Sequence, residues 1–212
     1  MKKKCKDVDI TNPKTIRTFV EDCIRRHYKR YDFKRFLLEH GLTKEQYATA
    51  TKTHDYRIFD DAVDKISVEC AKAINSRKIA LTAPSLTERT DIATGKVRQI
   101  TCETPLHQIF DFIAVYSAMP IFTSRLVKEQ ASGMTGRGQI YGVKMIQKIV
   151  KKDNAAMEYA KRHGLRYSSK CKYHVKLDIE KCFPSMRKDV FMWLFKHDCG
   201  NADIAWLFRY AS

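Results

Sequence analysis

The chain has 212 residues, with 40 Lys and Arg against 24 Asp and Glu, a formal charge of +16 at pH 7. That length supports one or two compact domains with a sizeable core, and the positive excess favours a polyanionic partner, because each phosphate neutralised by Lys or Arg releases counterions, with binding to a membrane surface as the competing explanation. No apolar run approaches the roughly 18–20 residues that span a bilayer, and the basic start Met1-Lys2-Lys3-Lys4-Cys5 has no apolar stretch behind it, so neither a membrane span nor a secretory signal is expected.

The seven cysteines, at 5, 23, 70, 102, 171, 182 and 199, are odd in number and include no Cys-x-x-Cys pair. That usage fits reduced thiols in a cytoplasmic setting rather than a disulfide framework. Cys171-x-x-His174 and His197-x-Cys199 match no common zinc spacing, so no structural metal is expected.

Residues 1–77 read as a helical leader of two amphipathic helices. Ile16, Phe19, Val20, Cys23, Ile24, His27, Tyr28 and Tyr31 keep a helical stripe with Lys and Arg opposite. Gly41 suits a C-terminal stop, and Thr43 with Gln46 suits a capping box for the next helix. The stripe then continues from Tyr47 through Phe59, Ile66 and Ile74 to about Lys78 as one helix. Asp60-Asp61 falls within it and is expected to be a solvated face.

Residues 78–170 change character. Ile79-Ala80-Leu81-Thr82 and Val97-Arg98-Gln99-Ile100-Thr101 read as strands, with Asp91-Ile92-Ala93-Thr94-Gly95-Lys96 as a turn. Leu106 to Val115 reads as a helix, followed by a turn at Pro120-Ile121-Phe122. Gln130 to Gln139 is a glycine-rich basic loop that feeds a helix carrying Ile140, Val143, Ile146, Ile149 and Val150. Such a loop lets backbone N–H groups approach an anion, although the Lys-Ser/Thr ending of a P-loop is absent. Lys151 to Lys172 is strongly basic, and Gly164 ends the helix.

Residues 171–212 begin with Tyr173-His174-Val175-Lys176-Leu177-Asp178-Ile179-Glu180. The period-two alternation places Tyr173, Val175, Leu177 and Ile179 on one side and Asp178 on the wet side of a half-buried strand. Phe183-Pro184-Ser185 ends the ladder, and the serine suits a helix N-cap.

In order, these elements resemble the fingers and first palm segment of reverse transcriptases, particularly those of bacterial retroelements related to group II introns. The resemblance covers roughly residues 78–195 and is carried by Gly95-Lys96-Val97-Arg98 before Pro105, by Pro120-Ile121-Phe122, by Gly136-Arg137-Gly138, and by Asp178 with Phe183-Pro184-Ser185. It implies an α+β right-hand polymerase fragment: helix-rich fingers with a β-hairpin, then the first palm strand and helix. It implies RNA-directed DNA synthesis from an RNA template, a DNA primer and deoxynucleoside triphosphates. Asp178, the catalytic carboxylate, and the adjacent Ile179 would hold Mg2+ (or Mn2+).

By the same resemblance, Arg98 grips the triphosphate, with Lys96 and Arg89 as secondary candidates for that role, and Phe183 lies under the sugar and excludes a 2′-hydroxyl. Gly136, Arg137, Gly138 and Gln139 run beside the template. Arginine suits the phosphate role because its planar fork holds two oxygens and keeps its charge. The family's paired aspartates, which belong after Asp178, have no counterpart in this sequence, so the 212-residue chain alone is expected to polymerise little or not at all. A non-catalytic basic nucleic-acid-binding protein is the alternative.

Overall fold

A computed structural model of the chain describes residues 2–127, 129–131, 136–173, 175, 177 and 185–211. It is helix-rich with one two-stranded antiparallel sheet, an α+β composition. The chain divides into two compact units, one formed by Met1–Thr123 with Lys188–Ser212 and the other by Ser124–Arg187.

Four helices and a 3-10 turn replace the two helices expected in the leader. Helix α1, Pro13–His27, starts where the Asn12 side chain accepts from the Lys14 N–H at 2.9 Å, and Pro13 opens it without losing a bond. Arg25, Arg26 and His27 crowd its last turn, where the helix dipole favours cations. Arg30 then adopts extended backbone, which separates α1 from α2, Tyr31–Glu39.

Helix α2 closes in a Schellman turn. Gly41 takes a φ of +96°, the Leu42 N–H reaches the Leu37 carbonyl at 3.1 Å, and the Gly41 N–H reaches that of Leu38 at 3.2 Å. The capping box of α3, Lys44–Thr53, forms as expected: the Thr43 hydroxyl accepts from the Gln46 N–H, and the Gln46 side chain accepts from the Thr43 N–H.

The stripe from Tyr47 to Lys78 is not one helix. His54 adopts left-handed backbone (φ +56°), the Asp55 side chain caps a 3-10 turn at Tyr56–Phe59, and α4 runs from Asp60 to Ser76. Apolar periodicity passes through this break because Tyr56 and Phe59 still pack inward, so the stripe records burial rather than helix continuity. Asp60 is not merely solvated: with Asp64 it receives the Arg17 guanidinium, at 2.7 and 2.6 Å.

No strand forms at residues 79–82. Ile79 is buried and its carbonyl accepts from the Tyr210 hydroxyl, so this stretch is pinned against the C-terminal helix and is not free to pair. The hairpin instead joins β1, Ser85–Thr90, to β2, Val97–Cys102. Helix α5, Pro105–Ser117, is capped by Thr104 and buries Ile109, Phe110, Ile113 and Ala114. Pro120 sits inside the first turn of a further helix, α6 (Met119–Arg125), rather than ending one.

The first unit is completed from far along the chain. Helices α8, Lys188–Asp198, and α9, Ala202–Ala211, bring Phe195, Ile204 and Leu207 into the core with α4 and α5. Phe195 and Phe208 meet at 4.5 Å between ring centres, with Phe122 and Phe191 around them. The N-terminus is stitched to the α8–α9 link: the Lys4 N–H donates to the Asp198 carbonyl and the Gly200 N–H to that of Lys4, both at 2.8 Å. Asn201 caps α9 with its side-chain oxygen and donates its amide to the Val8 carbonyl.

In the second unit, helix α7 spans Gln139–Arg162. Its interior residue Asp153 is buried and accepts four hydrogen bonds from the segment that follows the helix. The donors are the Ser169 hydroxyl (2.6 Å), the Tyr167 hydroxyl (2.7 Å) and the N–H groups of Lys170 (3.0 Å) and Cys171 (3.2 Å).

Candidate nucleic-acid interface

The hairpin is built on Asp91. Its carboxylate accepts from the N–H groups of Ala93 and Thr94, at 3.0 and 3.3 Å, and these bonds hold its pKa below the usual carboxylate range. The Asp91 N–H donates to the Lys96 carbonyl at 2.9 Å, and Gly95 supplies the left-handed residue (φ +67°) that returns the chain.

The register then places Arg89 directly opposite Arg98. By strand alternation these two share a face with Thr87, Asp91, Lys96, Ile100 and Cys102. Every residue of both strands is exposed, so no core fixes the ribbon.

Two guanidiniums facing each other across a ladder repel, by about 1 kcal/mol or less in water. Arg98 has one long contact to Asp91, at 3.5 Å, and Arg89 has no ion pair among the described residues. The register thus sets two exposed arginines side by side on one face of the ribbon. Lys96, exposed at the mouth of the turn on the same face, adds a third cation.

At the base of this ribbon lies an open cleft of about 620 Å³. Arg89, Ile100 and Cys102 line it from the hairpin, His27 and Arg30 from α1 and the step into α2, and Glu103, Gln108, Asp111 and Phe112 from α5 and its approach. Arg30 is already bound to Asp32 through two bonds of 3.1 and 2.6 Å, and it also donates to the Gln108 side chain at 2.9 Å. Gln108 in turn donates to the Glu103 carbonyl at 3.0 Å. Burial, reinforced by the neighbouring Glu103 carboxyl, pushes the Asp111 pKa up to about 7.

In the second unit, Gly136 (φ +75°), Arg137, Gly138 and Gln139 lead into the N-terminus of α7 and line an open cleft of about 600 Å³ with Tyr141 and Lys144. Gly138 occupies the cap position and offers no side-chain acceptor to the first-turn N–H groups. The Arg137 guanidinium turns back onto its own loop, donating to the carbonyls of Val127 (3.3 Å) and Gln130 (3.5 Å) and lying 5.6 Å from the Tyr141 ring centre. Arg137 thus shapes the loop, and Lys144, one turn into the helix, is the exposed cation of the cleft.

Asp178, Ile179 and Phe183 lie outside the described residues. Of the strand expected to carry them, residues 173, 175 and 177 are described and belong to no ladder, and Tyr173 and Leu177 are 90% and 88% exposed. Among the described residues no cluster of three or more His, Cys, Asp or Glu forms a potential metal site, and no helix is long and apolar enough to cross a membrane.

The Asp111–Glu103 pair and Asp153 had no motif to announce them. A carboxylate interrupting the apolar run Ile109-Phe110-Asp111-Phe112-Ile113 is the one signal that could have singled out Asp111.

No protein-family model matches the chain, and no curated protein or solved structure matches it significantly.

Proposed function

We propose that the chain is the fingers and first palm segment of an RNA-directed DNA polymerase of the bacterial-retroelement kind. Its work is to hold an RNA template, a DNA primer and a deoxynucleoside triphosphate. The observation that supports this most is the opposed pair Arg89 and Arg98 on a fully solvated ribbon, with Lys96 beside them. Phosphoryl transfer is catalysed mainly by positioning and by neutralising charge on the phosphate oxygens. A ribbon with two exposed guanidinium forks, one of them held only by a 3.5 Å contact to Asp91, offers both.

In such enzymes divalent ions activate the primer hydroxyl and stabilise the leaving pyrophosphate. Asp178 is the carboxylate that the sequence supplies for them. One carboxylate is too small a donor set for a fixed two-ion cluster, so no catalytic step is assigned to these residues and the chain alone is taken to bind without extending.

The test is binding of an RNA–DNA primer–template over a salt series, followed by addition of the complementary deoxynucleotide with Mg2+. The expected result is salt-sensitive binding that weakens in Arg98→Ala, further stabilisation by the deoxynucleotide but not by its ribonucleotide counterpart, and little extension. Salt-sensitive binding with no response to the nucleotide would favour a non-catalytic nucleic-acid-binding protein. Binding indifferent to Arg89 and Arg98 sinks the assignment of the hairpin.

A further inference from the structure

We infer that the cleft at the hairpin base binds a guanine nucleotide, with the base against Phe112 and Ile100, its hydrogen-bonding edge on Glu103 and Asp111, and its phosphate on Arg89. This extends the hairpin's phosphate-gripping role to a neighbouring pocket and requires no polymerase chemistry.

The cleft's cations and carboxyls are not matched to each other. Arg30 is tied to Asp32 and to the Gln108 side chain, and Gln108 in turn to the Glu103 carbonyl. Among the described residues Arg89 on β1 has no ion pair, and the Glu103 and Asp111 carboxyls face each other with no salt bridge to a cation. A ligand that satisfies both ends carries an anionic group and a set of adjacent hydrogen-bond donors. Between them lie the side chain of Ile100 and the part of the Phe112 ring that is left by its stack on Tyr116 (5.4 Å between centres), by Arg26 5.8 Å from its centre and by the His27 ring edge-on at 87°.

Among the nucleobases, guanine alone presents two neighbouring donors, N1–H and the N2 amino group, along one edge. Ionised carboxylates are pure acceptors and match them. Adenine and cytosine offer one amino donor beside an acceptor, and uracil one N–H between two acceptors. The volume of about 620 Å³ falls within the usual range for small-molecule sites, roughly 300–1,000 Å³.

Protonation supports the same assignment. With Asp111 titrating at about 7, it holds a proton below that pH, and guanine binding releases it. The groups facing the pair are His27, Arg30, Arg89, Cys102 and, from within α1, Cys23. Affinity for guanine therefore rises as pH passes upward through 7.

The experiment is titration of the 212-residue chain with GMP, AMP and guanosine by calorimetry at pH 6 and pH 8. GMP is expected to bind at least about tenfold more tightly than AMP, in line with the discrimination of one good base-edge pairing, and more tightly at pH 8 than at pH 6. Asp111→Asn, which removes a costly half-buried charge and so keeps the fold, is expected to equalise GMP and AMP. Arg89→Ala is expected to weaken GMP and leave guanosine unchanged. Equal affinity for GMP and AMP in the parent chain, both lost in Arg89→Ala, overturns the guanine site while leaving the hairpin's phosphate role standing. No nucleotide binding, together with primer–template binding that ignores Arg89, overturns both.

Discussion

The Asp153 carboxylate, buried in the middle of α7, accepts the hydroxyl proton of Tyr167 at 2.7 Å, tying the chain after the helix back onto its flank. Ser169, the Lys170 and Cys171 N–H groups and Tyr167 together hold this carboxyl well below the usual range. Its tether is therefore fully present above the ordinary Asp pKa of about 3.9 and is lost as pH falls below it. Asp153→Asn is expected to leave the helices intact but to speed amide hydrogen exchange at Lys170 and Cys171 several-fold. Unchanged protection there would show that the tether is dispensable.

Charge reversal at the hairpin separates stability from binding. In Arg98→Glu the like-charged cross-strand pair becomes an opposite pair with Arg89, which should stabilise the ribbon by about 0.2–1 kcal/mol. The same change removes one of the forks offered to phosphate. The expected outcome is slower exchange of the β1–β2 amides together with weaker RNA binding and a shallower dependence on salt. A variant that binds RNA as well as the parent contradicts the anion-gripping role.

The Asp111 carboxyl gives the first unit a pH dependence of the opposite sign to that of Asp153. Its folded pKa, about 7, stands above the unfolded value, so the folded chain holds a proton that the unfolded chain has released between about pH 4 and pH 7. Stability from this group falls as pH rises through that window and levels off above it, at about 1.4 kcal/mol for each unit of pKa difference. Asp111→Asn should flatten the slope in urea unfolding measured at pH 5 and pH 8 and should gain most at pH 8. An unaltered slope would mean that the carboxyl is not desolvated.

Leu207 on α9 is fully buried in the core of the first unit. Leu207→Ala should cost about 2–5 kcal/mol through lost transfer energy and the cavity left behind. A solvent-facing control, Lys52→Ala on α3, should cost about 0.5 kcal/mol or less. If the two variants unfold at the same urea concentration, the C-terminal helix does not belong to the cooperative core.

Local chemistry was legible in the sequence where partners are close. Thr43 with Gln46, Gly41, Gly95 and the turn that starts at Asp91 were readable because each device closes within a few residues. The break at His54 and Asp55 was hidden because inward-facing Tyr56 and Phe59 continue the apolar rhythm through it. The strand at Ser85–Thr90 was missed because its six exposed residues carry no buried face and hence no clean alternation. At the candidate site, Arg98 and Lys96 stood out by position. Arg89 as their cross-strand neighbour required the register, and the Asp111–Glu103 cleft required packing between the hairpin and α5 that no single stretch encodes.

Because Phe195, Ile204 and Leu207 complete a core begun by α1, α4 and α5, the order of synthesis matters. At roughly 5–20 residues per second on the ribosome, the apolar surfaces of α4 and α5 wait several seconds for the helices that cover them. The Ser124–Arg187 stretch is made entirely within that interval. A nascent chain arrested before α8 emerges thus displays an uncovered greasy surface, which makes it a natural client for chaperones.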